Sequence, residues 1–409
     1  MNSPLHHQRA QAQAISRRSA LATLASAALS GLSAPALASQ VRGVTPTSIK
    51  VGAMLAMTGS SAVTQVQVNA GQYAYFQMIN DRGGINGRKI DYIVEDHEYS
   101  AQKAVTAARK LVMSDNIFAL LGSLGTAQIN PVIPFMEEQK VPIINSFTGT
   151  LEWFNPPKDG IFGIYTPLEY CVQAAARWAA KDGHKKIIVA HWDAAFVRAF
   201  TQYAEPGAKS VFKDATIEWI PVKYGTVDYS PVALEIIRKQ PDAVIASNVL
   251  LEFVALAREL RANGSKVPIY TPPINVHETL VGTNPEAVEG VKGLSFTASP
   301  RADTPALREY RDALAKYVTP AQKPDFLSLF TFGGAKIFCE GLARIKGDVT
   351  HEALVQAFYS MKPYDSGILP PVSFSPESHQ GTTSLFKMIA KGGQWVPTGE
   401  IIDAGKNNW

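Results

Sequence analysis

Two rhythms of apolar and polar positions succeed one another along most of this chain, the mark of strands alternating with helices. Residues 48–54 (SIKVGAM) are β-branched and apolar and predict a strand. Over 62–80, Ala70, Ala74 and Met78 recur at helical spacing, and Asp81-Arg82-Gly83-Gly84-Ile85-Asn86-Gly87 then breaks the helix with three glycines. A strand at 89–95, a helix at 101–113, a strand at 117–121, a helix at 129–139 and a strand at 141–145 complete a first series. A second begins near Pro167, with strands at 186–190, 216–222 and 242–246 and helices at 171–180, 195–212, 231–239 and 251–262. The last of these closes on Asn263-Gly264, a favoured C-cap pair. Residues 290–297 (GVKGLSFT) read as extended, helical patterns return at 305–318, 326–344 and 352–360, and 385–390 with 394–397 flank Gly392-Gly393 as a hairpin. Repeated strand–helix–strand units predict parallel sheets covered on both faces, so the fold class is α/β, with two doubly wound, Rossmann-like lobes.

Composition narrows the class. With 409 residues and 46% hydrophobic content the chain buries a large core and divides into two or three domain-sized units. The formal net charge is +4, and residues 1–38 hold Arg9, Arg17 and Arg18 with no acid, so the remainder carries 4 − 3 = +1. That near-neutral remainder has no electrostatic footprint for nucleic acid. The N-terminal stretch itself reads as a cleaved export signal over 1–38. Ser16-Arg17-Arg18 precedes an alanine-rich apolar run, and Ala36-Leu37-Ala38 forms a small-x-small cleavage site. The arginine pair suggests the twin-arginine route, and the expected address is the periplasm.

Most catalytic signatures fail. There is no G-x-G-x-x-G, P-loop, G-x-S-x-G or H-E-x-x-H, and His97, His184, His191, His277, His351 and His379 never approach metal-ligand spacing. No catalytic residue, cofactor or metal is expected. Glu95-Asp96 reads as a strand end with local hydrogen bonds. Cys171 and Cys339 fall in helices of different lobes and read as reduced, buried small hydrophobes.

What remains lies in loops that follow strands, where open α/β sheets bind ligands. Gly122-Ser123-Leu124-Gly125-Thr126 leads into a helix. Its small residues admit a close ligand, its amides suit an anion, and Ser123 and Thr126 add hydroxyls. Plain N-capping by Thr126 explains the same pattern equally well. Asn145-Ser146-Phe147-Thr148-Gly149-Thr150 is a second hydroxyl-rich loop, adjacent to the first if strand order follows the usual rule. In the second lobe His191-Trp192-Asp193 ends a strand, and Glu252 opens a helix, where a carboxylate either receives an ammonium group or complements the helix N-terminus. Phe147, Trp153, Trp192 and Phe196 offer stacking surfaces for an aromatic or aliphatic acid, or belong to the core.

The segments IKVGAMLAMTGSSA, INDRGGINGRKI, FALLGSLGTAQ and VPIINSFTGT, followed by DYSPVALEIIRKQPDAVI and LARELRANG, resemble the leucine/isoleucine/valine-binding type of periplasmic solute receptor over nearly all of the mature chain. The resemblance implies type I periplasmic-binding-protein architecture, two lobes joined by three crossovers. It places lobe 1 at 39–160 and 298–366, lobe 2 at 167–289 and 375–409, and the crossovers near 161–166, 290–297 and 367–374. It implies a monomer that closes on a small-molecule ligand, an amino acid or related carboxylate, and delivers it to the membrane permease of an ABC importer without catalysis. A sensor subunit has the same fold. Carried over by position, Ser123 and Thr126 match the carboxylate loop, Phe147, Thr148 and Gly149 the second loop, and Glu252 the acid that receives the ligand ammonium. The family's Asp-x-x-Tyr-Gly reads Asp193-Ala194-Ala195-Phe196-Val197 here, which puts Phe196, beside Trp192, in the site.

Overall fold

A computed structural model describes residues 41–406 except Ser60, Val249 and Ala321. The expected leader, 1–38, and its cleavage site lie outside the described residues. The first sheet has the order β2-β1-β3-β4-β5 and is parallel throughout, with β1 Ser48–Leu55, β2 Lys89–Asp96, β3 Ala119–Leu121, β4 Ile143–Ile144 and β5 Ile161–Phe162. Being central and parallel, β1 is covered on both faces, and Val51 to Leu55 is buried without interruption. Helix α1 (Ala62–Asp81) and helix α2 (Ala101–Met113) follow β1 and β2.

The 129–139 helix is broken into α3 (Thr126–Ile129), a 3-10 turn (Asn130–Val132) and α4 (Ile133–Glu138), since Pro131 and Pro134 withhold the N–H groups a continuous helix needs. After β4 comes α5 (Leu151–Phe154), and after β5 comes α6 (Leu168–Lys181).

The second sheet has the order β12-β11-β10-β9-β8-β6-β7. Its strands are β6 Lys186–Trp192, β7 Thr216–Val222, β8 Ala243–Ser247, β9 Ile269–Thr271, β10 Lys292–Ser295, β11 Ser384–Lys391 and β12 Gln394–Asp403, with only β11 running antiparallel to its two neighbours. Alternate residues of β6 face opposite layers. Ile187 and Val189 pack with α6, while Ile188 and Ala190 pack under α9 (Ser230–Lys239) and α10 (Leu251–Ala262). The 195–212 helix is interrupted between α7 (Ala195–Thr201) and α8 (Ala204–Lys209), where Pro206 has no N–H for the Gln202 carbonyl. Strand β9, three residues ahead of two prolines, carries too little periodicity to have been read from sequence. Two short helices, α11 (Glu278–Thr283) and α12 (Pro285–Val288), follow it.

The C-terminal third returns α13 (Pro305–Tyr317), α14 (Phe326–Arg344) and α15 (His351–Tyr359) to the first sheet. Helix α14 is long and apolar enough to cross a membrane, but it is buried along most of its length between α1, α15 and the sheet. A Cβ at Gly71 of α1 would overlap the Ser328 carbonyl, so glycine permits that close crossing. Cys171 in α6 and Cys339 in α14 are both free thiols and buried.

The chain passes between the sheets three times. The first passage is 163–167. Residues 290–297, expected as a crossing, contain β10, whose pairing with β9 and β11 draws 292–295 into the second sheet, so the second passage runs from Phe296 to the start of α13. The third leads from α15 to β11. Gly163 donates to the His379 carbonyl (3.0 Å) and accepts from Gly381 (2.7 Å), while Ala298 donates to Ile368 (2.8 Å), so the passages are tied to one another. Beside them Phe147, Tyr165, Phe296 and Phe330 form a buried aromatic cluster with centroid separations from 4.2 Å (Tyr165–Phe296) to 5.6 Å (Phe296–Phe330) between successive rings.

Candidate functional site

The first lobe builds one half of the site from two loops. Strand β3 is followed by a loop with Gly122 and Gly125, whose φ values of +60° and +113° lie in the region open to glycine. A Cβ on Gly122 would overlap the Gln72 amide, and one on Gly125 the Gln128 amide. Ser123 is fully buried, and its Oγ accepts the Met54 amide at 2.9 Å. Its carbonyl accepts the Phe147 amide at 2.8 Å, which joins the loop after β3 to the loop after β4. Thr126 and Thr148 share a hydrogen bond between their hydroxyls. Gly125, not Thr126, occupies the cap position of α3, so the capping explanation for Thr126 falls away. Of the two threonine hydroxyl protons one lies in their mutual bond, and the other is left for an acceptor. Ser146 Oγ and Thr150 Oγ1, in the same second loop, are buried with no intramolecular partner. The expected pairing of two hydroxyl-rich loops is therefore present, because β3 and β4 are neighbours.

Two aromatics of this lobe go elsewhere. Phe147 is buried in the aromatic cluster described above, a floor beneath the loops rather than an open stacking face. Trp153 is buried among the outer helices with Nε1 donating to Asn130 (2.8 Å), so it is core and not a stacking residue. Gly149 sits tightly, since a Cβ there would come within 3.3 Å of the Phe154 ring and 3.4 Å of the Tyr165 carbonyl.

The second lobe centres on Glu252, in the first turn of α10 and half-buried. One carboxylate oxygen accepts from Trp192 Nε1 and from the Tyr229 hydroxyl (3.1 Å), and the other accepts the Gly225 amide at 2.9 Å. Glu252 thereby gathers the end of β6, the turn after β7 and the approach to α9. Among the described residues no Lys, Arg or His nitrogen stands within 4 Å of it. Burial first, and then the neighbouring Glu252 charge, push the Tyr229 phenol well above its ordinary pKa. Asn248 donates to the same phenol oxygen (3.3 Å). The Trp192 ring stands edge-on to Tyr224, 4.7 Å away. Phe196 is 55% exposed at the start of α7, with Phe200 its ring neighbour at 6.4 Å, and no contact brings it to Glu252 or to the hydroxyl loops.

Tyr229, Gly225, Asn248 and Asn275, whose Oδ1 accepts the Leu250 amide at 2.7 Å, were missed by sequence reasoning. Nothing in their local pattern marks them. They matter because the chain folds back onto Glu252. Asp96, read as a strand end, accepts from Met57 (3.0 Å), Glu98 (2.8 Å) and the Thr58 hydroxyl (2.6 Å), and Glu95 pairs with Lys110. Burial pushes the Asp96 pKa up, and these hydrogen bonds outweigh it, leaving the carboxyl below its usual range.

Comparison with known proteins bears on the family and the fold. The model of the periplasmic binding protein family matches residues 48–394. A Leu/Ile/Val-binding protein homolog 7 of Brucella abortus (strain 2308) is 22% identical over 347 residues, covering 80% of this chain and 82% of its own. Among solved structures, a branched-chain amino acid ABC transporter protein of Thermus thermophilus with bound valine is similar, with a TM-score of 0.79 at 20% identity over 88% of this chain and 97% of that one. A solute-binding protein of an ABC transporter from R. palustris in complex with benzoate superposes with a TM-score of 0.72 at 19% identity, over 86% of this chain and 96% of that one. At such identities the structural likeness speaks for the fold.

Proposed function

The chain belongs to the periplasmic binding protein family, and from that premise we propose that it is a solute receptor of the branched-chain amino acid ABC transporter kind, which takes a small carboxylate with an apolar body and hands it to the permease of an ABC importer. The family implies a small-molecule ligand, a permease partner and a location outside the cytoplasm. A monomer, exported through its N-terminal signal and neither catalytic nor bound to nucleic acid, completes the proposal. The observation that carries it is the stitched pair of loops at Ser123-Thr126 and Phe147-Thr148-Gly149, which presents hydroxyls and amides at the carboxyl ends of adjacent parallel strands. The lobe boundaries and hinge follow the three passages.

Two ligand classes meet this description. An amino acid is the cargo to which the relatives' names point, and its ammonium would take the lone-pair position left on Glu252, a carboxylate without a cationic partner. An acid without an amino group is favoured by a different observation: Glu252 already accepts three hydrogen bonds from its own lobe. Protein stripped of bound cargo by partial unfolding and dialysis decides between them in a thermal-shift screen of leucine, phenylalanine, benzoate and short aliphatic acids. Ligand at about 100 times its Kd adds about 2.7 kcal/mol, a shift of several degrees. Shifts with leucine-like amino acids assign the ammonium to Glu252, and shifts with benzoate-like acids alone assign Glu252 to its own lobe. Silence across the panel sinks the carboxylate reading.

A further inference from the structure

After β2 the chain turns sharply through Asp96-His97-Glu98-Tyr99 into α2. Glu98 and Tyr99 both adopt left-handed backbone conformations, with φ of +48° and +59°. Consecutive non-glycine residues in that region are costly, because Cβ crowds the following carbonyl. Local ties impose the shape. Asp96 Oδ1 accepts the Glu98 amide (2.8 Å), His97 Nδ1 accepts the Tyr99 amide (3.0 Å), and Gln128 Nε2 donates to the Tyr99 carbonyl (2.7 Å). His97 and Gln128 are both buried, and Gln128 belongs to α3, the turn that begins at Thr126. The strained turn is thus locked to the hydroxyl loop.

The outcome of this strain is a Tyr99 side chain that remains 48% exposed. Its one ring neighbour among the described residues is His97, at 6.5 Å and tilted, so no aromatic stacks on it. Burial first, and then the Tyr224 phenol of the second lobe, raise the Tyr99 pKa; Tyr224 is itself 66% exposed and stands edge-on to Trp192. Four other exposed apolar side chains, Val63, Phe196, Val227 and Leu251, also lie in segments that follow strands, namely β1, β6, β7 and β8. Strain retained at one point is characteristic of sites where geometry serves binding.

We propose that Tyr99 is a specificity-determining residue of the cleft, closing on the apolar body of the ligand, an aromatic ring or branched alkyl group, from the first lobe while Tyr224 and Trp192 close from the second. This rests on the carboxylate-receptor reading above. The strain is retained because the ring is needed in the cleft, and glycine at this position would relax the turn but remove the contact.

The test uses full-length protein carrying Tyr99→Gly or Tyr99→Phe and has two readouts. Without ligand, Tyr99→Gly is expected to melt at the native temperature or a few degrees higher, since glycine accepts the positive φ. A fall of several degrees means the ring is packing, and overturns the proposal. By calorimetry with leucine, phenylalanine and benzoate, whichever probe binds the native protein should bind Tyr99→Gly at least about tenfold more weakly and Tyr99→Phe within about threefold. Equal binding by the glycine variant overturns the proposal as well. If none of the probes binds the native protein, that failure belongs to the carboxylate reading, and the melting temperature alone decides the role of Tyr99.

Discussion

The two halves of the cleft are built on opposite principles. The first lobe offers polar groups left over after folding: a hydroxyl proton beyond the Thr126–Thr148 bond, and Ser146 and Thr150 oxygens with no intramolecular partner. The second lobe presents its most conspicuous polar group already in use, since Glu252 is encircled by Trp192, Tyr229 and Gly225. A residue type suited to a ligand is thus no sign that it faces one. On the proposed reading the unsatisfied groups, Asn248 Oδ1 of the second lobe among them, mark where a ligand is received, and the ligand screen decides whether the satisfied carboxylate also takes an ammonium or serves its own lobe alone.

The largest expected effect tests the scaffold half. Glu252→Ala removes the acceptor of three donors, and should destabilise the ligand-free protein by about 3 kcal/mol in urea unfolding. Unchanged stability would return Glu252 to the ligand and erase the contrast between the lobes. The next effect tests the binding half. Thr126→Val with Thr148→Val removes both hydroxyls, which should weaken the ligand found in the screen by roughly 10- to 100-fold, since hydrogen bonds to a charged group contribute about 1.5–3 kcal/mol. Melting temperature should change little, because the two threonines mainly bond each other.

The smallest effect lies where the lobes touch. His277, just ahead of α11, holds Nδ1 3.0 Å from Asp325 Oδ2 at the start of α14. Burial raises Asp325 to about 7 and lowers His277 to about 4. The raised carboxyl contributes stability present below its unfolded pKa near 4 and lost as pH rises towards 7. The lowered imidazole contributes stability present above about 6.5 and lost as pH falls towards 4. Both windows cover the same range with opposite sign, so together the two groups leave native stability almost flat there. His277→Phe removes one side of the balance, and urea midpoints of that variant should fall as pH rises from about 4.5 to about 6.5. A flat profile in the variant would show that Asp325 titrates normally.

Periodicity made much of the fold legible. The helices at 62–81, 251–262 and 326–344 are each a dozen residues or longer with a clear apolar pattern, and their limits agree within a residue with the sequence reading. Short elements escaped: β9 has three residues, and β10 was read as extended but not as a sheet member, because pairing partners lie far away in sequence. In the site the same divide holds. The loops at 122–126 and 145–150 announce themselves by composition, and their contact follows from strand order. The fate of Glu252 depends on Trp192, Gly225 and Tyr229, 60, 27 and 23 residues away, and no local pattern encodes that meeting. The left-handed turn at Tyr99 was equally hidden, since it is made by Gln128 and His97 rather than by a glycine.

The ties among the three passages have a mechanical consequence. Gly163 bonded to His379 and Gly381, and Ala298 bonded to Ile368, turn separate tethers into something like a leaf spring. On the receptor reading proposed above, such a strip would flex across its thin dimension and resist torsion, leaving the halves a single angle of travel. Cargo of any shape would then be reported to the outer surface as one coordinate, and a docking machine would need to read only how far the jaws have swung.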